Sequence, residues 1–187
     1  TGRSLKHCIN VIEAKKCIFG AEVMSAMADV QDELELAAGT DFLFIADTAT
    51  SADSCPAWAM DMDALQQQAV EENPPETALN TIGQTALYIY TSGTTGLPKA
   101  AVMSNRRYLM SADMSGVAGL KTKPGNRIYL CLPLYHATGL LLGVGSAMTT
   151  GAGMYVRRKF SASAFRGEIC DYNCTHMVYI GELCRYL

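Results

Sequence analysis

Over residues 4–16 the apolar positions Leu5, Cys8, Ile9 and Ile12 return at helical spacing, which predicts a helix capped by Ser4. A short strand, CIFG at 17–20, should follow. Val23, Met27, Val30 and Leu34 then mark the stripe of a long amphipathic helix over 21–38. DFLFIAD, 41–47, is continuously apolar between its aspartates and reads as a buried strand. Residues 48–60 read as a loop and 62–72 as a helix, which the prolines of NPPE stop because proline cannot continue one. Further strands are predicted at 85–91, 99–104, 127–136, 151–159 and 175–180. Helices are predicted from the Ser104 cap towards 118 with Gly119 closing it, near 138–150, over 161–172, and from 181 onward. Helix and strand alternate at the rhythm of an α/β domain of layered sheets with flanking helices.

With 187 residues the chain suffices for one such domain or for a piece of a larger one. It opens at Thr1 without a methionine and ends inside an apolar stretch, GELCRYL, so it reads as an internal fragment. Its expected parts are a helix and strand region over 1–72, a linker over 73–84, and a loop-bearing region over 85–187. A composition 49 % hydrophobic and 18 % charged excludes a disordered chain. One apolar stretch is long enough to raise a membrane span, since no Asp, Glu, Lys or Arg lies between Arg127 and Arg157. Pro133 and His136 interrupt its first half and glycines from Gly139 to Gly153 its second, which favours a buried strand, a loop and a buried helix.

Seven cysteines, an odd number without a CxxC, point to reduced thiols in an intracellular protein. Cys170, Cys174, His176 and Cys184 have spacings that match no usual zinc pattern, and no metal site is assigned. The net charge of -3 hides an asymmetry. No Lys or Arg occurs from Cys17 to Pro98, whereas basic residues outnumber acidic ones from Lys99 onward, a field suited to an anionic ligand. YVRRKF, 155–160, is the densest basic run and is not interleaved with aromatics, so nucleic acid is a poor partner.

The candidate chemistry sits in YTSGTTGLPKAAV, Tyr90 to Val102. Glycines let backbone amides converge on an anion, and Gly93 and Gly96 supply that freedom. Thr91, Ser92, Thr94 and Thr95 add hydroxyl donors, and Lys99 adds a full positive charge. Such a set suits a polyphosphate, although an ordinary Ser/Thr turn has the same composition. A Walker loop is excluded, because Gly96 is followed by Leu-Pro-Lys-Ala rather than Lys-Ser or Lys-Thr. The dinucleotide fingerprint GxGxxG is absent.

The run TSGTTGLPK after a strand resembles the phosphate-binding signature of the adenylate-forming superfamily, and LPLYHATG at 132–139 is similar to that family's next core motif. LCLPLYHATGLLLGVG, RRKFSASAFRGEICDYNCTH and VYIGELCRYL most resemble its fatty-acid-transport and very-long-chain acyl-CoA synthetase branch. The resemblance implies part of that family's N-terminal domain. It also implies ATP-dependent activation of a fatty acid through an acyl-adenylate, with Mg2+ as cofactor and CoA as co-substrate. Thr91, Ser92, Gly93, Thr94, Thr95, Gly96 and Lys99 match the phosphate ligands, with Lys99 and His136 as the catalytic candidates. Tyr135, His136, Tyr179 and Gly181 fall in the acyl-binding region. Each also has a structural reading. His136 suits a strand end, Gly181 a tight turn, Glu182 a helix first turn, and Leu140, Leu141, Leu142 and Val144 ordinary core. The family's adenine and ribose motifs, its hinge and its C-terminal domain have no counterpart before Leu187, so the fragment alone is expected not to turn over. A different acid substrate, or lipid transport without ligation, remains open. Endoplasmic reticulum, peroxisome, lipid droplet or plasma membrane association is implied by the branch alone, and the oligomeric state is unspecified.

Overall fold

A computed structural model describes residues 2–46, 54–91 and 96–186. The chain divides into two compact units, Thr1–Leu79 with Thr91–Ala100, and Asn80–Tyr90 with Ala101–Leu187.

The first unit carries α1 (Gly2–Val11), β1 (Cys17–Gly20), α2 (Met24–Ala28), β2 (Phe42–Ile45), β3 (Met60–Asp61) and α3 (Met62–Gln66). Its parallel sheet runs in the order β1-β2-β3, with Cys17 opposite Phe42 and Leu43 opposite Met60. Phe42 and Phe44, two residues apart, point to one face and are buried with Phe19, Met27, Val30 and Leu34. Trp58 closes this core, stacked on Phe19 at 5.1 Å and edge-on to Phe42 at 5.2 Å.

Three predictions for this unit need correction. α1 starts at Gly2, so Ser4 lies inside it, and Ile12 falls in the turn after its end; Leu5 and Ile9 alone of the predicted face pack on the core. The helix over 21–38 is broken into a 3-10 turn at Ala21–Val23, α2, and another turn at Gln31–Glu33. Met27, Val30 and Leu34 are still buried, but Val23 is exposed. Asp29, Asp32, Glu33 and Glu35 would face one another three or four residues apart in a continuous helix, and like charges at that spacing oppose it. Glu33 instead pairs with Lys6 at 2.8 Å. α3 stops at Gln66 because it buries no residue and its expected last turn carries Glu71 and Glu72, the wrong sign for a helix C-terminus.

In the second unit β4 (Thr85–Thr91) and β5 (Lys99–Ser104) form a two-stranded sheet with the predicted bounds, their loop-side ends being counted with the first unit. Ser104 Oγ accepts from the Arg107 amide at 3.3 Å and caps α4 (Asn105–Asp113). The helix widens into a π-helical stretch over Met114–Leu120, ended by Lys121 at φ 55 rather than by Gly119. β6 (Arg127–Leu130) is followed by a second π-helical stretch, Thr138–Val144, which runs into α5 (Gly145–Thr150). β7 (Gly153–Val156), α6 (Ala162–Asp171), β8 (His176–Val178) and a 3-10 turn at Gly181–Arg185 complete the order. The parallel sheet has β6 at its centre, β7-β6-β8, and Ile128, Tyr129 and Leu130 are fully buried there. Strand β6 ends at Leu130, short of the predicted 136. Its partners end opposite that residue, at Val156 and Val178, and Pro133 cannot donate to a ladder.

The Tyr129 hydroxyl donates to Glu168 Oε2 at 2.8 Å, and Arg157 pairs with the other carboxylate oxygen. Glu168→Ala leaves the buried Tyr129 phenol without its acceptor and the half-buried Arg157 guanidinium without its carboxylate, although Arg157 Nε still donates to the Lys159 carbonyl at 2.8 Å. In the intact protein it is expected to destabilise this unit by about 2–3 kcal/mol in urea unfolding, with Glu168→Gln losing less. An unchanged midpoint for Glu168→Ala would contradict this. No disulfide links the seven cysteines, and burial pushes the thiols of Cys8, Cys17, Cys55, Cys131 and Cys174 up. Among the described residues no helix is long and apolar enough to cross a membrane.

Candidate phosphate-loop and acyl-site residues

Ser92, Gly93, Thr94 and Thr95 lie outside the described residues. What surrounds them is defined. Thr91 ends β4 and its Oγ1 donates to the Lys99 carbonyl at 3.5 Å, a long bond across the two ends of the loop. Gly96 has φ 120, a backbone that side-chain-bearing residues rarely adopt, so this exit requires glycine. Lys99 opens β5 with an exposed side chain, and among the described residues no carboxylate pairs with it.

Within the first unit an open cleft of about 620 Å³ is lined by Arg3, His7, Gly96, Leu97, Pro98 and Lys99. Two of the six are cations and none is an acid. Elsewhere in this acid-rich unit Lys6 and Lys16 pair with neighbouring carboxylates. Hydrogen bonds from Lys6 and Lys16 hold the carboxyls of Glu33 and Asp41 below their usual range. The cleft at the loop's exit thus carries Arg3 and Lys99 with no acid in its lining, where an anion would be favoured. Sequence reasoning passed over His7 and Arg3. The ring of His7 lies against the Pro98 carbonyl at 3.0 Å, 91 residues away in the chain.

In the second unit the LPLYHATG segment is a tight turn. The His136 amide donates to the Pro133 carbonyl at 3.1 Å, and the Leu140 amide donates to the His136 carbonyl at 3.0 Å. Tyr135 is 74 % exposed, with its ring 4.8 Å from that of His136, which is also exposed. These side chains stand out from the fold and have no core to fill. Gly139 makes the turn: a Cβ there would lie 2.3 Å from the Pro133 oxygen and 3.0 Å from the Leu132 oxygen. Leu141 is buried, and Leu142 and Val144 pack on the cluster of Ile128, Leu130 and Leu132, so these residues are core. Tyr179 is exposed. Gly181 has open space around its missing side chain. Glu182 pairs with Arg185 at 3.6 Å on the surface. Among the described residues no three His, Cys, Asp or Glu side chains gather where a metal could be held.

The sequence profile of the family described as AMP-binding enzyme matches residues 1–187. The chain belongs to that family. The chain is 37 % identical over 186 residues to the medium/long-chain-fatty-acid–CoA ligase FadD6 of Mycobacterium tuberculosis, with 100 % of the chain covering 29 % of that protein. It is also 37 % identical over 187 residues to long-chain fatty acid transport protein 1 of Rattus norvegicus, with 98 % of the chain covering 28 % of it. The chain thus spans less than a third of these relatives, on the fatty-acid ligase and transport side of the adenylate-forming superfamily. The crystal structure of the anthranilate CoA ligase AuaEII with anthranoyl-AMP superposes with a TM-score of 0.73 at 17 % identity, covering 95 % of the chain and 33 % of AuaEII. The mixed α/β fold is that of the adenylate-forming enzymes' N-terminal domain.

Proposed function

We propose that the chain supplies the phosphate loop and part of the acyl site of an enzyme that joins a long- or very-long-chain fatty acid to CoA at the expense of ATP. In the first step a carboxylate oxygen attacks the α-phosphorus, the bond to the bridging oxygen of the β-phosphate breaks, and pyrophosphate leaves. In the second the CoA thiol yields its proton to solvent, attacks the acyl carbonyl and expels AMP. The observation that carries the reading is the loop itself. The donor-rich run Thr91, Ser92, Gly93, Thr94, Thr95 and Gly96 leads to Lys99, whose charge meets no carboxylate among the described residues.

In this reading the loop's amides and hydroxyls hold the outer phosphates. Lys99 neutralises charge that builds on the departing pyrophosphate, which is electrostatic stabilisation and needs no proton transfer. His136 touches the substrate without serving as a base, since an ionised fatty acid has no proton to lose. Tyr135, Tyr179 and Gly181, exposed or beside open space, offer surface to the acyl chain. Mg2+ has no ligand cluster among the described residues, so the charge neutralisation argued for the chain's own atoms is that of Lys99 and the loop donors.

FadD6 by its name takes medium and long chains, the rat relative transports long ones, and AuaEII takes an aromatic acid on the same fold. Acid-dependent exchange of pyrophosphate into ATP by the intact protein separates these cases. Exchange driven by long-chain acids supports the proposal. Exchange only with short or aromatic acids would replace its substrate, and lipid binding without AMP formation would leave a carrier.

A further inference from the structure

We infer that His7 is a positioning residue of the phosphate loop, acting through the Pro98 carbonyl to aim Lys99; the inference rests on the polyphosphate reading above. His7 Nε2 lies 3.0 Å from the Pro98 oxygen. A carbonyl can only accept, so Nε2 carries the proton and the ring acts as a donor without needing a charge. The Pro98 carbonyl and the Lys99 amide are two ends of one planar peptide. Holding one end fixes the other, and with it the direction in which the Lys99 side chain leaves the backbone.

Proline has no amide hydrogen, so its carbonyl is the backbone group by which a neighbour can hold that residue. The following carbonyl, that of Lys99, receives the Thr91 hydroxyl at 3.5 Å. Lys99 therefore stands between two tethered peptides just downstream of Gly96, whose φ of 120 lets the chain turn there. α1 brings the anchor in. Arg3 and His7, four residues apart, share a helix face, and both line the cleft that Lys99 enters. A half-buried histidine held to a loop carbonyl by an element so distant in sequence is a brace, and its effect should be read at the lysine.

The test uses the intact protein that contains this chain, with steady-state KM for ATP and for the fatty acid measured in wild type, His7→Gln, His7→Asn, His7→Leu and Lys99→Ala. The glutamine amide nitrogen reaches the place of Nε2, whereas that of asparagine falls short. His7→Asn and His7→Leu are expected to raise the KM for ATP about five- to tenfold, the worth of one lost hydrogen bond, with the KM for the fatty acid and the melting temperature unchanged. His7→Gln should stay within about twofold of wild type. If Lys99→Ala raises the KM for ATP but His7→Asn and His7→Leu do not, the brace is wrong and the phosphate reading stands. If Lys99→Ala leaves ATP kinetics untouched, the phosphate reading falls and takes the brace with it. A glutamine as damaging as asparagine, or a parallel rise of both KM values with a lowered melting temperature, also overturns the inference. Should His7→Leu fail to fold, the contrast between glutamine and asparagine decides.

Discussion

Replacing Lys99 by alanine in the intact enzyme is expected to lower kcat/KM for ATP by about two orders of magnitude, with the fatty-acid KM little changed. A unit charge about 4 Å from another near a protein surface is worth about 4 kcal/mol, and each 1.36 kcal/mol of barrier is a factor of ten in rate. Part of that attraction acts on bound ATP and appears in KM. The remainder grows as the bond to pyrophosphate breaks and negative charge moves onto the leaving group, so kcat should fall as well. Lys99→Arg keeps the charge and should recover part of the loss, limited by the planar guanidinium that replaces a compact ammonium. Pyrophosphate exchange measured over a range of ATP concentrations reads both terms. An alanine variant with wild-type ATP kinetics would leave Lys99 as an ordinary surface lysine.

The second large effect is expected at Gly139. Its missing side chain faces backbone: an alanine Cβ would meet the Pro133 oxygen at 2.3 Å, the Pro133 carbonyl carbon at 2.9 Å and the Leu132 oxygen at 3.0 Å. None of these can swing aside as a flexible side chain would. The same Pro133 carbonyl accepts from the His136 amide, so relief of the clash opens the turn that carries Tyr135 and His136. Gly139→Ala should therefore cost about 1–3 kcal/mol of stability in urea unfolding and raise the fatty-acid KM. Gly167 provides the contrast. It lies in α6, where an added methyl group would find nothing within 4 Å, and alanine there should be neutral or stabilise by about 0.5–1 kcal/mol. Equal stability of the Gly139 variant and wild type would contradict the close approach.

Local signals were legible wherever one interaction decided the outcome. The strands at 17–20, 85–91 and 99–104 have their predicted bounds because apolar or β-prone runs are punctuated by charge, glycine or serine at both ends. Ser104 was legible as a cap for the same reason. Legibility failed where two tendencies compete. The stripe of Met27, Val30 and Leu34 is real, yet acidic repulsion breaks the helix that such spacing suggests. Gly119 looked like the natural stop after α4, but the π-helical stretch carries on to Lys121. Among the residues lining the phosphate-loop cleft, Gly96 and Lys99 were visible in the motif itself. Arg3 and His7 were not, since only folding brings α1 to the loop's exit and no local pattern records a contact across 91 residues. Trp58, in the turn before β3, was overlooked for a like reason, its partners Phe19 and Phe42 lying on β1 and β2.

The proposed function rests on the turn from Thr91 to Gly96, with Lys99, receiving the outer phosphates of ATP. The most direct measurement is a structure of the intact enzyme with a non-hydrolysable ATP analogue. The expected result is β- or γ-phosphate oxygens within about 3 Å of the loop's amides and hydroxyls and of Lys99 Nζ, the range of charge-assisted hydrogen bonds. Phosphates bound elsewhere, with this turn facing only water, would contradict it.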